Sequence, residues 1–297
     1  MCDVLVALPA ATHGTTLFAK NSDRPPAERQ VYEWVPGQRH TGPQRVSHIE
    51  VAPHVEPTLA CLIARPAWMW GAEHGVNQAG VAIGNTTVYT RRDPRPATTG
   101  LTGMDLVRLA LERATTAAQA VTTITGLIEC YGQGGSGQDP AVIPGGRPYW
   151  NAFLVADPTA AFVIDTSGQK WAVEQVADVR AISNRTSIPG FDEAHRHPRQ
   201  PVDRLVNPRW HAGQRLLAQR PVTVDGLMAH LRSHDTCGDP GWSVCMHADD
   251  VEATTASMIA ELTPGSVRVH LLTGSPCTRD YATFDLADLP TANLAAV

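Results

Sequence analysis

The chain has 297 residues, a formal net charge of −5, 43% apolar residues and 18% charged residues. That is an ordinary globular composition, long enough to bury a sizeable core. It carries no basic footprint of a nucleic-acid partner, and no window approaches the ~18 uninterrupted apolar residues of a membrane span.

The length alone allows two domains, but no repeat or interdomain linker appears, so one domain over 1–297 is expected. Lys20, Asp23 and Arg24 follow too soon after an N-terminus without a basic region for a secretory signal. The expected location is therefore the cytoplasm. The six cysteines at 2, 61, 130, 237, 245 and 277 show no CxxC spacing, so neither a zinc site nor a redox dithiol is signalled. Cys237 and Cys245 could meet across a loop, but a cytosolic setting opposes a disulfide there. Cys61, Cys130, Cys245 and Cys277 read as core thiols.

In chain order, residues 3–8 and 15–20 read as strands around a turn at His13-Gly14, a hairpin signal. Residues 25–44, rich in Pro, Gly and charge, read as a loop. Strands follow over 45–52 and 58–64, and 68–90 reads as strand, Asn/Gly turn, strand. Thr102 with Asp105, and Thr116 with Gln119, open two helices with capping-box spacing. Leu106, Val107, Leu109, Ala110 and Leu111 form the first apolar stripe, and Val121, Ile124 and Ile128 belong to the second. The run 132–137, GQGGSG, is a loop. Short strands are expected over 152–156, 160–165, 170–176 and 179–183, helices near 211–219 and 223–233, and strands over 267–273 and 281–286. Strands and helices in blocks, without βαβ alternation, indicate an α+β fold on antiparallel sheets.

The chemistry lies in MCDVLVALPAA. If Met1 is removed, Cys2 carries an α-amine and a thiol on one residue. An α-amine with a pKa near 7.7–8.0 can accept the thiol proton, and the thiolate then attacks a carbonyl. A two-residue turn at His13-Gly14 would pair Val4 with Asp23 and Val6 with Asn21, placing Cys2, Asn21 and Asp23 on one face. The residues alone leave a second reading open, in which Cys2 is a buried core thiol and NSDR is a turn.

The stretches CDVLVALPAAT and LFAKNSDRPPAERQ closely resemble the N-terminus of the secernin-like cysteine dipeptidases. These are N-terminal-nucleophile hydrolases, distantly related to penicillin V acylases and bile salt hydrolases. The blocks at 68–85, 149–184, 243–247 and 254–262 are similar to that family in the same order and cover most of the chain. The resemblance implies an αββα sandwich of two antiparallel sheets between helical layers. It implies Cys2 as nucleophile with its own amine as base, Asp23 beside it, and Asn85 as oxyanion donor. Asn184 matches a second asparagine of the site, and Lys20 stands where acylase relatives have arginine.

Each of these positions also has a plainer reading. Asn85 and Asn184 could be turn residues, and Lys20 a solvated cation. Trp68 and Trp70 could line a substrate pocket or belong to the core, and Glu73 could bind a substrate amine or cap a loop. Asp192, Glu193, His195 and His197 have a superficial look of metal ligands, but the adjoining Pro and Arg residues favour a solvated loop. Where the family commonly reads GNEAV, this chain reads GNTTV, so Thr86 replaces a carboxylate suited to hold a peptide ammonium. His74 and Gln78 also depart from the family, which often has Met and Glu there.

The resulting expectation is hydrolysis of a linear amide in a small molecule or peptide through a Cys2 thioester, with no metal or organic cofactor. One rival passes the same thioester to an amine, as an acyltransferase or amide synthase. The other, of a different class, is an inactive regulatory protein on this fold. The resemblance leaves room for a homo-oligomer.

Overall fold

A computed structural model of the chain describes residues 1–235, 239–294 and 297. Cys237 lies outside the described residues, so its pairing with Cys245 does too. The chain opens with β1 (Cys2–Ala7), β2 (Thr16–Arg24) and β3 (Gln30–Val35). A small hairpin, β4 (Gln44–Arg45) and β5 (Glu50–Val51), precedes β6 (Cys61–Pro66), β7 (His74–Asn77) and β8 (Ala82–Val88). Helices α1 (Gly103–Leu111) and α2 (Ala117–Tyr131) follow. Four strands come next: β9 (Trp150–Ala156), β10 (Ala161–Ser167), β11 (Lys170–Gln175) and β12 (Val179–Ile182). Helices α3 (Phe191–His195), α4 (Val202–Leu205), α5 (Asn207–Ala218) and α6 (Val224–Leu231) lead to β13 (His247–Ala248), β14 (Glu252–Thr263), β15 (Ser266–Thr273) and β16 (Ala282–Asp285).

The strands form two antiparallel seven-stranded sheets. One runs β12-β1-β2-β14-β15-β16, with β13 also on β14, and the other β11-β10-β9-β8-β7-β6-β3. Val4, Val6 and Phe18 from the first sheet meet Leu62, Val76 and Leu154 from the second in the apolar layer between them. The outer face of the second sheet packs Ile63, Ile83 and Phe153 under Leu106, Leu109, Ile124 and Ile128 of α1 and α2. The outer face of the first packs Leu5, Ala19 and Ile259 under Leu217, Leu227 and Leu231 of α5 and α6. The result is the expected αββα sandwich. Inner strands such as β1 and β9 bury both faces, which is why they read as nearly continuous apolar runs, whereas β2 buries the polar run Lys20–Arg24 as well.

Both helix starts follow the expected capping. Thr102 Oγ1 accepts from the Asp105 amide while the Asp105 carboxylate accepts from the Thr102 amide, and Thr116 caps Gln119. Four expectations are corrected. The run 30–35 is a strand, because QVYEWV pairs with β6 at the sheet edge despite its Pro/Gly-rich flanks. The strand expected over 45–52 breaks at residues 46–49 into the small hairpin. Cys130 and Cys277 are exposed, Cys130 falling off the buried stripe of α2; Cys61 and Cys245 are buried.

The fourth correction concerns register. The β1–β2 connection spans residues 8–15 and contains a 3-10 turn at Pro9–Ala11, so it is not a two-residue turn. Cys2 therefore pairs with Ser22, Val4 with Lys20 and Val6 with Phe18. With side chains alternating along a strand, Lys20 and Ser22 share the inter-sheet face with Cys2, and Asn21 and Asp23 share the helix-side face with Asp3.

The stem of Lys20 crosses the sandwich against Gly84 of β8. A Cβ at Gly84 would lie 2.7 Å from Lys20 Cδ and 3.2 Å from Phe18 Cζ. Gly84→Ala is expected to displace the buried lysine and cost roughly 1–3 kcal/mol through overpacking, read as a lowered midpoint in urea denaturation.

Candidate active site

Cys2 opens β1, opposite Ser22 of β2, on the face turned toward the second sheet. Its Sγ lies 3.9 Å from Glu73 Oε2, just ahead of β7. Lys20 Nζ is 3.7 Å from the same oxygen and donates to Ser22 Oγ at 2.8 Å. Arg24 Nη1 donates to Glu73 Oε1 at 3.0 Å, and Arg24 also pairs with Glu28 and donates to the Gly137 carbonyl at 2.6 Å. All six of these side chains are buried, so Lys20 is not a solvated surface cation.

Burial pushes the Cys2 thiol above its ordinary range, with Lys20 pulling the other way and Glu73 adding to the rise. The sulfur is thus a thiol at rest and needs a base before it can attack. Ser22 Oγ lies 3.0 Å from His74 Nδ1, and His74 Nε2 lies 3.2 Å from Tyr32 Oη, which donates to the Ser257 carbonyl at 2.6 Å. Burial, reinforced by Lys20, pushes His74 well below its ordinary pKa and keeps it neutral. One assignment satisfies every partner: Lys20 donates to Ser22, Ser22 to Nδ1, Nε2–H to Tyr32 and Tyr32 to Ser257.

The nitrogen of Cys2 is held from the other side. It donates to Asn184 Oδ1 at 2.8 Å, and Arg209 Nη2 donates to that same oxygen at 2.9 Å. Arg209 of α5 also pairs with Asp3 at 2.6 Å, while Asn184 Nδ2 donates to the Thr87 carbonyl at 3.0 Å. Asn184 therefore faces Cys2 with its acceptor. Asp23 lies beside the chain start, its amide donating to Met1 O at 2.9 Å. Asp23 Oδ1 accepts from Thr254 at 2.7 Å, and its Oδ2 is buried without a partner. Burial pushes this carboxyl up to about 7, against the pull of the Met1 ammonium and Arg209. The register of β14 shifts between Thr254 and Ala256, opposite Asp23 and Ser22, a bulge of the kind that re-aims side chains beside active sites.

Asn85 of β8 lies between Glu73 and Asn151. With its amide nitrogen toward Glu73 it donates to Oε2 at 3.2 Å and to the backbone carbonyl at 2.9 Å. Turned the other way, the nitrogen reaches Asn151 Oδ1 at 3.0 Å but the oxygen then faces only acceptors of Glu73, so the first orientation is the sounder. Thr86 is buried and donates to the Ser183 carbonyl at 2.9 Å, which ties β8 to the segment before Asn184. Trp68 reaches Glu28 at 3.4 Å on the rim of the charge cluster. Trp70 packs toward the helices with the Arg108 guanidinium 4.1 Å from its ring, away from the thiol. Neither tryptophan lies in a strand. Asp192 is occupied by Arg185, Thr186 and Arg196, and His195 stacks on Phe191.

Several participants carried no signal of their own in the sequence. Arg209 lies over 200 positions from Asp3 in a helix of ordinary composition. Arg24 was visible only as the last letter of NSDR. Glu252 receives the Met1 ammonium at 2.8 Å. Tyr149 lies near Arg24, Glu73 and Cys2, and the loop before it closes in so tightly that a Cβ at Gly137 would sit 2.2 Å from Tyr149 Oη.

No family model matches the sequence. The structure is similar to a mutant conjugated bile acid hydrolase from Clostridium perfringens at 10% identity and a TM-score of 0.56, covering 99% of this chain and 94% of that one. It is also similar to penicillin V acylase from Agrobacterium tumefaciens at 10% identity and a TM-score of 0.57, covering 96% of this chain and 86% of that one. The fold is thus the α+β sandwich of these two solved structures, two antiparallel sheets between helical layers, with Cys2 opening the first strand.

The raised Asp23 pKa has a definite sign for stability. Between the ordinary 3.8 and about 7 the folded chain binds the extra proton, so stability falls as pH rises through this window. In the chain retaining Met1, Asp23→Asn is expected to remove a few kcal/mol of that fall. Urea denaturation at pH 4 and pH 8 checks it: equal pH dependence in wild type and variant would show that Asp23 titrates normally.

Proposed function

We propose that the chain is an N-terminal-nucleophile amidase of the secernin-like type, acting on linear amides after removal of Met1. The observation that carries this reading is the double grip on Cys2. Its sulfur is set among Glu73 and Lys20, while its nitrogen is separately fixed by Asn184, which Arg209 and Asp3 hold in turn. A core thiol needs no such arrangement around its main-chain nitrogen. The partnerless Asp23 Oδ2 beside the chain start supplies an acceptor for the freed ammonium. Fold neighbours named as a conjugated bile acid hydrolase and a penicillin V acylase are consistent with amide chemistry.

The steps follow from the groups present. The Cys2 α-amine in its neutral form takes the thiol proton, with the Lys20 ammonium favouring the negative sulfur. Sulfur attacks the amide carbon, and the oxyanion takes hydrogen bonds from Asn85 Nδ2, which exchanges Glu73 for the developing charge, and from backbone N–H. Collapse breaks the C–N bond as the ammonium returns the proton to the leaving amine. Water then attacks the thioester with the amine as base, releasing the acid and restoring the thiol.

Met1 itself suggests the substrate class. Its aminoacyl group is bound as a free amino acid residue would be. The ammonium rests on Glu252 and the Asp23 carbonyl, at 2.8 and 3.1 Å, and the acyl oxygen rests on the Asp23 amide. Burial opposes that ammonium, but Glu252 and the neighbouring acidic groups outweigh it and raise its pKa. The departing methionine leaves a seat for an aminoacyl group with a free α-amine, and Glu252 takes over the anchoring that Thr86 lacks. We read the activity as dipeptidase-like on this ground.

Mature protein is expected to begin at Cys2 by intact mass. Incubation with a panel of dipeptides and N-acyl amides is expected to give an acyl adduct on Cys2 and a loss of at least ~10³ in turnover in Cys2→Ala. A chain that keeps Met1, or equal turnover in Cys2→Ala, would sink the mechanism. Glu252→Gln is expected to raise KM about tenfold or more for substrates with a free α-amine and to leave N-acetylated substrates unchanged. An equal rise for both would remove Glu252 from substrate recognition while leaving the thioester chemistry standing.

A further inference from the structure

We propose that His234, Cys245, His247 and Cys277 form a tetrahedral site for a soft divalent metal ion of the Zn²⁺ class. The four residues come from three separate stretches of chain. One ligand atom from each lies within 4.8 Å of all the others. His247 Nε2 is 3.4 Å from Cys245 Sγ and 3.2 Å from Cys277 Sγ. Zinc bonds of ~2.0–2.3 Å in a tetrahedron separate ligand atoms by about 3.3–3.8 Å, so the pairs about His247 already stand close to metal spacing. The His234 and His247 rings meet edge to face with centroids 5.1 Å apart, which brings the fourth donor to the same point. Two imidazoles and two thiols, with no carboxylate among them, select zinc over calcium or magnesium.

The backbone around the four donors is tied independently of them. The Cys245 amide donates to the Ser233 carbonyl at 2.9 Å, next to His234, and the His247 amide donates to the Gly241 carbonyl at 2.8 Å. Arg232 donates to the Pro276 carbonyl at 3.0 Å, next to Cys277, and Ser275 donates to the Thr254 carbonyl at 3.2 Å. The donors are thus held in place, which lowers the ordering cost of binding. Cys245 is buried while His234, His247 and Cys277 are exposed, so an ion can enter from solvent. Binding would be Zn²⁺ plus two thiols giving two zinc–thiolate bonds and two protons released to water.

The position suggests a brace for the nucleophile strand. Asn21 Nδ2 donates to the Leu231 and Val244 carbonyls, both at 2.9 Å. The Met246 amide donates at 2.9 Å to Thr254 Oγ1, the same hydroxyl that donates to Asp23. A metal on Cys245 and His247 would fix residues 244–247 against the back of β2. CxxC spacing gave no sign of this, because the ligands are spaced by ten, one and twenty-nine intervening residues.

The test uses untagged full-length protein made in zinc-supplemented medium and purified with reductant and without chelator. About one zinc per chain is expected. Cobalt titration of the stripped protein should give thiolate charge-transfer and tetrahedral d–d bands. Cys277→Ser and His247→Asn should each lower bound zinc at least about tenfold, while Cys130→Ser, at an exposed thiol outside the cluster, keeps it. Chelation should lower Tm in wild type and not in Cys277→Ser. Reduced wild type with neither zinc nor cobalt bands would overturn the proposal, whatever the variants do. Zinc content unchanged in both ligand variants would also overturn it, as would a Cys245–Cys277 disulfide that persists in intact mass in place of metal.

Discussion

Charge joins the two sheets at the end where Cys2 lies. Lys20 and Arg24 reach inward from β2, and Glu73 reaches to meet them from the start of β7. None of the three could be buried alone, since an isolated charge inside a protein costs several kcal/mol even after relaxation. Together, and with Glu28 and the Gly137 carbonyl, they offset one another. The arrangement fixes the separation of the sheets at this end and holds a buried cation beside the thiol. It also explains His74. A methionine there could not receive the Ser22 hydroxyl or pass a hydrogen bond to Tyr32, and the chain from Lys20 to Ser257 would break in the middle.

The strand register separates sulfur from nitrogen chemically. On the inter-sheet face Cys2 meets Lys20 and Ser22, groups that govern the sulfur. On the helix side Asp3 and Asp23 meet Arg209 and Thr254, groups that govern the chain start. In the proposed reaction Cys2 uses one atom as nucleophile and another as base, which needs two environments tuned apart, and the pleat supplies them at no extra length of chain. The price is sensitivity: a one-residue slip would exchange the two sets.

The parts of this architecture legible from sequence are those set by local chemistry. Capped helix starts at Thr102 and Thr116, the turn between β7 and β8, and the succession β9 to β12 all depend on residues within a few positions of one another. Strand β3 was hidden by its flanks, and β14 reads as a long buried run rather than an alternating one, because it packs on both faces. The hairpin was visible but its register was not. Pro9 turns the chain into a 3-10 turn, and the connection outgrew the two residues that Gly14 suggested. Cys2, Lys20, Glu73, Asn85 and Asn184 do converge, and Asp23 lies beside them on the opposite face. The cations that organise them were missed because Arg209 meets Asp3 only through the fold, and a lone arginine in a helix has no periodic or spacing signature.

Removal of the first residue would rearrange this electrostatic balance more than its size suggests. With Met1 present, the terminal ammonium belongs to Glu252, and Asp23 is left with a buried oxygen facing no donor. Without it, the positive charge moves inward by one residue, to the nitrogen that Asn184 already holds. Arg209 stands on the far side of that same oxygen, so the new ammonium meets a cation there and an unpaired carboxylate at Asp23. The reaction proposed above asks that nitrogen to serve as a base near neutral pH, a task for which opposed charges on its two sides are suited. In the proposed mature chain the buried carboxylate of Asp23 and the buried Arg209 would flank one nitrogen, and the fold holds both before that nitrogen is free.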